Sequence, residues 1–232
     1  MFKVILWDVD RTLLDFDLCE RNSLKANFKR YNLGECTDDI CSLYSDINVR
    51  HWKMLERGEI TKQQVMTMRF DELFRVLGIE GVNSTEFSAD YEYGIGDTTA
   101  FVENAPEIIA SLVGKYKQYA VTNGALDVQQ RRLRDSGLDK LFDGVFISDD
   151  VGFDKPSREY FDCVLSKIIP CDKSEIIIVG DSLTSDMLGG NNAGIPTCWY
   201  NPSMAEKPDA LRIDYQISAL SEIYKILEGK EK

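Results

Sequence analysis

The chain has 232 residues, of which 44% are hydrophobic and 28% are charged, and its formal net charge is −12. This length and composition are typical of one large globular domain, or of a domain with an insertion, and they exclude global disorder. The negative charge argues against a broad nucleic-acid-binding surface, which needs excess Lys and Arg to displace counterions. We therefore expect no nucleic-acid polymer among the partners.

The first predicted element is the short apolar run Lys3–Asp10, which ends in the aspartates Asp8 and Asp10. A continuous apolar run is typical of a strand buried in a parallel sheet, and the polar residues then lie at its carboxyl end. The run is too short and too soon interrupted for a signal peptide, and no later run is long enough to span a membrane. We expect a cytoplasmic protein without a membrane partner.

Residues 16–95 have the periodicity of helices. Apolar residues recur there at helical spacing, and no convincing strand interrupts them. The periodic residues are Leu24, Phe28 and Tyr31, then Ile40, Leu43 and Ile47, then Met66, Phe70, Leu73 and Leu77. The pattern predicts a helical insertion over 16–95. His51, the single histidine of the chain, is predicted to lie on the surface.

Predicted helices and strands alternate from residue 105 onward. Helices are expected around 105–115, 126–137, 157–169 and 184–193, with apolar strand-like runs between them. The alternation predicts an α/β fold with a Rossmann-like core, in which helices cover both faces of a parallel sheet. The predicted domains are a core of residues 1–15 and 96–232 and the helical insertion of residues 16–95.

Four polar clusters lie at or just after the ends of predicted strands. In parallel α/β sheets, ligands bind outside the carboxyl ends of the strands. The clusters are Asp8-Val9-Asp10-Arg11-Thr12, Val121-Thr122-Asn123-Gly124, Lys155-Pro156, and Gly180-Asp181 with Asp186. A carboxylate that attacks a phosphate monoester is repelled by it, so a divalent cation and a lysine have to neutralise both groups. The clusters together predict a site for a small phosphate ester with Mg²⁺, for which Mn²⁺ is an alternative ion.

The acidic residues receive distinct predicted roles. Asp8 is the predicted nucleophile, and Asp10, on the same side of the extended backbone, is the predicted acid and base, whose backbone carbonyl also reaches the metal. Asp8, Asp10 and Asp181 are the predicted metal-binding residues, because Mg²⁺ prefers oxygen ligands. Two alternatives stay open for Asp186. It either orients Lys155 or a metal-bound water, or it is simply favourable near a helix amino terminus.

The remaining polar residues are predicted to bind the phosphoryl group. Thr122 would donate its hydroxyl to a phosphate oxygen, and the backbone amides of Asn123 and Gly124 would add donors. A Thr before Asn-Gly is also a common turn former. Lys155 would clamp Asp8 and the transferred phosphoryl group, although a lone lysine is usually a solvated surface charge.

The motifs DVDRT, VTNG, DKPSREYF and GDSLTSD, in this order, resemble those of the haloacid dehalogenase (HAD) superfamily phosphatases. The resemblance covers nearly the whole length and implies that the helical insertion is a cap. It also implies hydrolysis through an aspartyl phosphate on Asp8. The presence of Asp10 implies phosphate chemistry, because the dehalogenating relatives lack this second aspartate.

Two longer segments, VTNGALDVQQRRLRDSGL and VGDSLTSDMLGGNNAGIPTCWYN, resemble a subfamily, the noncanonical pyrimidine nucleotidases. This resemblance implies a 5'-nucleotidase that hydrolyses nucleoside 5'-monophosphates, with pyrimidine nucleotides favoured. A phosphatase for a sugar phosphate, phosphoglycolate or another small metabolite is the alternative within the family.

Two non-enzymatic alternatives and one metal are disfavoured. A receiver-like phosphorylation switch is disfavoured because Asp181 follows Lys155 and the insertion is large. A noncatalytic binding protein is disfavoured because it would be expected to have lost at least one polar cluster, and all four are present. Zinc is disfavoured because the chain has one histidine and its six cysteines show no CxxC spacing. The sequence makes no prediction of the oligomeric state.

Overall fold

The computed structural model describes residues 1–229, and the chain folds into two compact units. The core unit consists of Met1–Asp15 and the chain from Phe101 onward, and the cap unit is Phe16–Ala100. The last three residues of the predicted core, 230–232, lie outside the described residues.

The chain leaves the cap unit at Ala100, later than the predicted boundary at residue 95. The last cap helix ends at Ile95, but the segment that follows it still bonds to the cap. The thiol of Cys19 donates to the carbonyl of Thr98 at 3.3 Å, and the amide of Asn22 donates to the Thr98 hydroxyl at 3.3 Å. Hydrogen bonds between residues so far apart in the chain cannot be predicted from the helical periodicity of the sequence.

The core unit is built on a six-stranded parallel sheet with the strand order β3-β2-β1-β4-β5-β6. The strands are β1 (Val4–Trp7), β2 (Lys117–Thr122), β3 (Gly144–Ile147), β4 (Ile176–Gly180), β5 (Thr197–Tyr200) and β6 (Tyr215–Ile217). The predicted α/β fold with a parallel sheet and a helical cap region is confirmed. Strand β6 was not predicted, because three residues are too few to show a period of two.

Helices follow most strands of the core, and four helices make up the cap. The cap helices are α1 (Phe16–Arg30), α2 (Asp38–Glu56), α3 (Lys62–Leu77) and α4 (Ser84–Ile95). The core helices are α5 (Ala105–Leu112), α6 (Leu126–Ser136), α7 (Ser148–Val151), α8 (Arg158–Lys167), α9 (Leu188–Ala193) and α10 (Ile223–Leu227). A π-helical turn, Leu183–Met187, leads into α9. Within residues 1–229, we find no helix with the length and apolar character that crossing a membrane requires.

Strand β1 lies at the centre of the core and explains the apolar run at the start of the chain. Successive side chains of a strand point to opposite faces of the sheet. Ile5 and Trp7 belong to one buried apolar cluster, and Val4 and Leu6 belong to another. Because helices cover both faces, all four residues of β1 are fully buried, and polar residues are confined to its two ends, at Lys3 and from Asp8 onward.

The cap unit has an aromatic interior formed by α2, α3 and α4. Phe70 of α3 lies 5.0 Å from Tyr44 and 5.0 Å from Phe87, measured between ring centroids. The predicted surface position of His51 is wrong, because the residue is buried. It follows Ile47 by four residues and therefore lies on the same buried face of α2.

Candidate active site

The sheet order brings three of the predicted polar clusters to one edge. Strand β1 lies between β2 and β4, and Trp7 is in register with Ala120 on one side and with Val179 on the other. Asp8 follows β1, Thr122 ends β2 and Asp181 follows β4, so their backbones are neighbours at the carboxyl end of the sheet.

A loop after α7 adds Lys155 to this edge. The side-chain amide of Asn123 donates to the Lys155 carbonyl at 2.8 Å, and its oxygen accepts from the Lys155 backbone N–H at 2.8 Å. The side chain of Asn123 therefore fixes the lysine loop to the end of β2. This contact was not predicted, since only the backbone amide of Asn123 was expected to take part in the site.

The Lys155 side chain is 1% exposed and makes three hydrogen bonds at its ammonium group. Nζ donates to Asp8 Oδ1 at 2.7 Å, to Asp186 Oδ1 at 2.7 Å and to the Val121 carbonyl at 2.9 Å. Burial by itself lowers the pKa of a lysine, but the charges of Asp186 and Asp8 outweigh it and raise the pKa of Lys155. Lys155 is therefore a fixed positive charge beside Asp8.

Asp186 is fully buried and lies between Lys155 and the loop after β4. Its Oδ1 accepts from Lys155 Nζ, and its Oδ2 accepts from the Ser182 backbone N–H at 3.1 Å. A side chain at Gly180 would collide with the Asp186 carboxylate, so glycine is needed at this position. Both alternatives for Asp186 are compatible with its hydrogen bonds: one oxygen contacts Lys155, and the other accepts the backbone N–H of Ser182, the N-cap of the π-helical turn.

The donor set at this edge fits a divalent cation. One carboxylate oxygen from each of Asp8, Asp181 and Asp186 lies within 4.8 Å of the other two. When ionised, these groups place three negative charges against the single positive charge of Lys155. Burial and the charge of Asp186 raise the pKa of Asp8 to about 7, and burial and the charge of Asp8 raise the pKa of Asp181 well above its ordinary value. A hard cation with oxygen ligands, such as Mg²⁺, relieves this repulsion.

Thr12, the last residue of the first motif, joins the two acidic strand ends. It is fully buried; its hydroxyl donates to Asp8 Oδ2 at 2.9 Å and accepts from the Asp181 backbone N–H at 3.1 Å. Thr12 belongs to the motif DVDRT, but no role in the site was predicted for it. The sequence signal for such a role is a hydroxyl side chain four residues after the predicted nucleophile.

The side chain of Asp10 is held by helix α6. Gln129 Nε2 donates to Asp10 Oδ2 at 2.9 Å, and Arg132 Nη1 donates to Asp10 Oδ1. Neither donor was predicted, although Gln129 and Arg132 lie in the first of the two segments that resemble the nucleotidases. Their spacing of three residues places them on one face of the predicted helix, and this spacing is the sequence signal that could have indicated a shared contact.

Thr122 has both acceptor positions of its hydroxyl oxygen occupied. Gly124 donates its backbone N–H to Thr122 Oγ1 at 3.2 Å, and Gln129 Nε2 donates to the same oxygen at 2.7 Å. A hydroxyl has one hydrogen and two acceptor lone pairs. The hydroxyl hydrogen of Thr122 can therefore be donated to a bound group.

Comparison with known proteins identifies relatives that cover almost the whole chain. The chain is 36% identical over 226 residues to the HAD-hydrolase YfnB of Bacillus subtilis (strain 168), covering 97% of this chain and 95% of YfnB. It is 33% identical over 228 residues to the pyrimidine 5'-nucleotidase PynA of Streptococcus pneumoniae, covering 98% of this chain and 95% of PynA. It is 31% identical over 223 residues to the pyrimidine 5'-nucleotidase YjjG of Escherichia coli (strain K12), covering 96% of each chain.

The same relationship is found in three dimensions. A crystal structure of YfnB bound to magnesium superimposes with a TM-score of 0.92 at 35% sequence identity, covering 97% of this chain and 98% of that one. The sequence profile described as Haloacid dehalogenase-like hydrolase matches residues 5–200. The resemblance noted from the four motifs is confirmed, and the chain belongs to the haloacid dehalogenase-like hydrolase family.

Proposed function

We propose that this protein is a magnesium-dependent phosphatase that hydrolyses nucleoside 5'-monophosphates, pyrimidine nucleotides in particular, through an aspartyl phosphate on Asp8. The observation that carries the proposal is the placement of Asp8. Its carboxylate lies beside the fixed ammonium group of Lys155 and within a cluster of acids that favours a divalent cation. An anionic nucleophile that must approach an anionic phosphate needs both positive charges.

In the first step, an Asp8 carboxylate oxygen attacks phosphorus and the bond between phosphorus and the ribose oxygen breaks. Asp10 gives its proton to the departing oxygen, which avoids release of an alkoxide. The hydroxyl of Thr122 donates to a phosphate oxygen, and Lys155 balances the negative charge shared by Asp8 and the transferred group. The products of this step are the nucleoside and the aspartyl phosphate.

In the second step, the Asp10 carboxylate takes a proton from a water molecule that attacks the phosphorus. The bond between phosphorus and Asp8 breaks, and the Asp8 carboxylate leaves with the electron pair. Inorganic phosphate is released, and Asp10 has regained its proton.

The side chains of Asp8 and Asp181 and the backbone carbonyl of Asp10 would hold the metal. Asp186, the second carboxylate that Lys155 contacts, would orient the lysine side chain. Bound Mg²⁺ would supply charge neutralisation between the carboxylates and the phosphate oxygens.

The substrate class is supported by the nucleotidase relatives. PynA and YjjG are pyrimidine 5'-nucleotidases, and each aligns with almost the entire chain at 33% and 31% identity. The presence of Asp10 fits this class, because a ribose alkoxide is a poor leaving group that needs a proton donor.

The substrate class is tested by a panel of phosphate esters with the purified protein and Mg²⁺. We expect kcat/KM for UMP, dUMP or dTMP to exceed that for purine nucleoside monophosphates, sugar phosphates and phosphoglycolate by at least about tenfold, which is 1.4 kcal/mol of transition-state binding. The same panel with an Asp8→Asn preparation excludes a contaminating phosphatase. A preference for a sugar phosphate or phosphoglycolate would overturn the substrate class and leave the chemistry standing.

Binding of the cation is tested without any substrate, by thermal unfolding at pH 8. Mg²⁺ at 100 times its Kd stabilises the native state by about 2.7 kcal/mol, which is a rise in Tm of roughly 5 to 10 °C for a protein of this size. We expect Asp181→Asn to lose most of this rise. In the metal-free state the variant should melt above the wild type, because one of three repelling carboxylates is gone.

The pH dependence of the metal-free protein follows from Asp8. Since its pKa is raised to about 7 in the folded state, the folded protein binds a proton between about pH 4 and 7 that the unfolded chain has released. The free energy of unfolding therefore falls as pH rises through this window. The Mg²⁺-induced shift should accordingly be larger at pH 8 than at pH 5. If Mg²⁺ raises the Tm of Asp181→Asn as much as it raises that of the wild type, this result would count against the metal site.

A further inference from the structure

Helix α6 presents two buried polar side chains, those of Gln129 and Arg132, to the active site, and neither takes part in the two steps of the proposed hydrolysis. Gln129 is 1% exposed and Arg132 is 3% exposed, and neither side chain belongs to one of the four motif clusters. Burial of a guanidinium is costly unless its charge is paired. Arg132 Nη1 donates to Asp10 Oδ1 and, at 2.9 Å, to Gln129 Oε1.

The two side chains hold both oxygens of the Asp10 carboxylate from one helix face. Arg132 donates to Oδ1, and Gln129 Nε2 donates to Oδ2 at 2.9 Å. The Asp10 side chain itself is 26% exposed, so it is open to solvent on its remaining side. Two donors from a rigid helix restrict the rotation of this carboxylate more than either donor alone.

Gln129 also connects Asp10 to Thr122. Its amide nitrogen donates to Asp10 Oδ2 and, at 2.7 Å, to Thr122 Oγ1. Because each hydrogen of the amide group serves one acceptor, the acid and the phosphate-binding hydroxyl are fixed relative to each other. A Cβ atom at Gly124 would lie 2.5 Å from the Gln129 side chain. Glycine at this position of the loop after β2 therefore leaves the space that the Gln129 side chain occupies.

The start of helix α6 is anchored to the core. Asp149 Oδ2 accepts the backbone N–H of Leu126, the first residue of the helix, at 2.9 Å. A carboxylate at a helix amino terminus stabilises the first turn. Gln129 and Arg132 lie within the following two turns, so their side chains start from a fixed backbone.

We propose, on the basis of the proposed function in which Asp10 is the acid, that Gln129 and Arg132 are positioning residues that aim the Asp10 carboxyl at the leaving oxygen and set it relative to Thr122. They act through Asp10 and take no part in bond making. Misplacement of a catalytic group by about 1 Å costs on the order of 100-fold in rate, so their loss should be felt in the step that needs the proton.

The test compares two substrates that differ in their need for an acid. A nucleoside monophosphate releases a ribose alkoxide, which needs a proton, whereas p-nitrophenyl phosphate releases a stable phenolate without one. The value of kcat/KM reports phosphorylation of Asp8 and is independent of the later hydrolysis. We expect Arg132→Met to lower kcat/KM for the nucleotide by roughly 10²-fold or more, and for p-nitrophenyl phosphate by only a few-fold. Gln129→Leu also removes a hydrogen bond to Thr122, so it should lower kcat/KM for both substrates, and by the larger factor for the nucleotide.

Five further variants make the test specific. Asp10→Asn should show the same substrate-selective loss, and Arg132→Met in the Asp10→Asn background should cost little more, because both changes remove one function. Arg132→Lys keeps the positive charge and should restore part of the nucleotide activity. Gln130→Leu and Arg134→Met, at exposed positions on the same helix, are the matched controls and should leave both substrates unaffected.

Equal losses on both substrates for Gln129→Leu and Arg132→Met, with Asp10→Asn still selective, would overturn the positioning role and leave the proposed function intact. The positioning role would also be overturned if the losses of Arg132→Met and Asp10→Asn multiply in the double variant. Equal losses for Asp10→Asn itself would overturn the acid role of Asp10 and the positioning role together. Thermal unfolding of each variant separates these outcomes from a loss of folded protein.

Discussion

Asp8→Asn is expected to abolish hydrolysis of every phosphate ester in the panel, with kcat reduced by at least about 10⁴-fold. The asparagine amide has nearly the shape of the carboxylate but is a far weaker nucleophile toward phosphorus. The neighbouring groups that stabilise the reaction remain, so a small residual rate over water is expected.

The fold of this variant should survive. Asp8 carries one of three negative charges that repel one another in a buried cluster, and removing it lowers that repulsion. Lys155 keeps its bonds to Asp186 and to the Val121 carbonyl. We therefore expect the metal-free variant to melt at or above the wild-type Tm.

Two measurements check the role of Asp8. The wild type, quenched in acid during turnover, should carry a phosphoryl group that mass spectrometry locates at Asp8, and the variant should carry none. Asp139→Asn, at an exposed position of the core unit, is the matched control and should behave as the wild type in both assays. Near-normal hydrolysis by Asp8→Asn would remove the nucleophile from the mechanism.

Lys155→Met is expected to lower both activity and stability. The activity should fall by about 10³-fold or more, because the fixed charge beside Asp8 and the transferred group is lost. The free energy of unfolding should fall by about 3 to 5 kcal/mol, since removal of one partner leaves the buried carboxylates of Asp8 and Asp186 without their cation.

A double variant separates these two effects. In Lys155→Met with Asp186→Asn, one of the two stranded carboxylates is neutral, so part of the lost stability should return while activity stays low. Lys117→Met is the matched control, because Lys117 also pairs with an aspartate in the core unit but is 48% exposed. Its loss should leave the free energy of unfolding almost unchanged, because an exposed ion pair is screened by solvent. Recovery of activity in the double variant would contradict a direct role of Lys155 at the phosphoryl group.

Much of the fold could be predicted because its signals are local. A buried central strand must be apolar throughout, so the run before Asp8 identifies β1 without knowledge of its neighbours. The helical periods of residues 16–95 predict the cap in the same way. The short strand β6 was missed because three residues cannot show a period of two. The burial of His51 was missed although the residue lies four positions after Ile47, on the same buried face of α2.

The acids, Thr122 and Lys155 can be recognised as candidate site residues from the sequence, and so can the strand ends that carry Asp8, Thr122 and Asp181. Which of these groups contact one another depends on the tertiary structure. Lys155 contacts Asp8 across 147 positions of the chain, and Gln129 contacts Asp10 across 119. Such pairings depend on the order of the strands and on the angle at which a helix packs against them. Neither is encoded in a local period, so the link between helix α6 and Asp10 became visible only once the sheet was assembled.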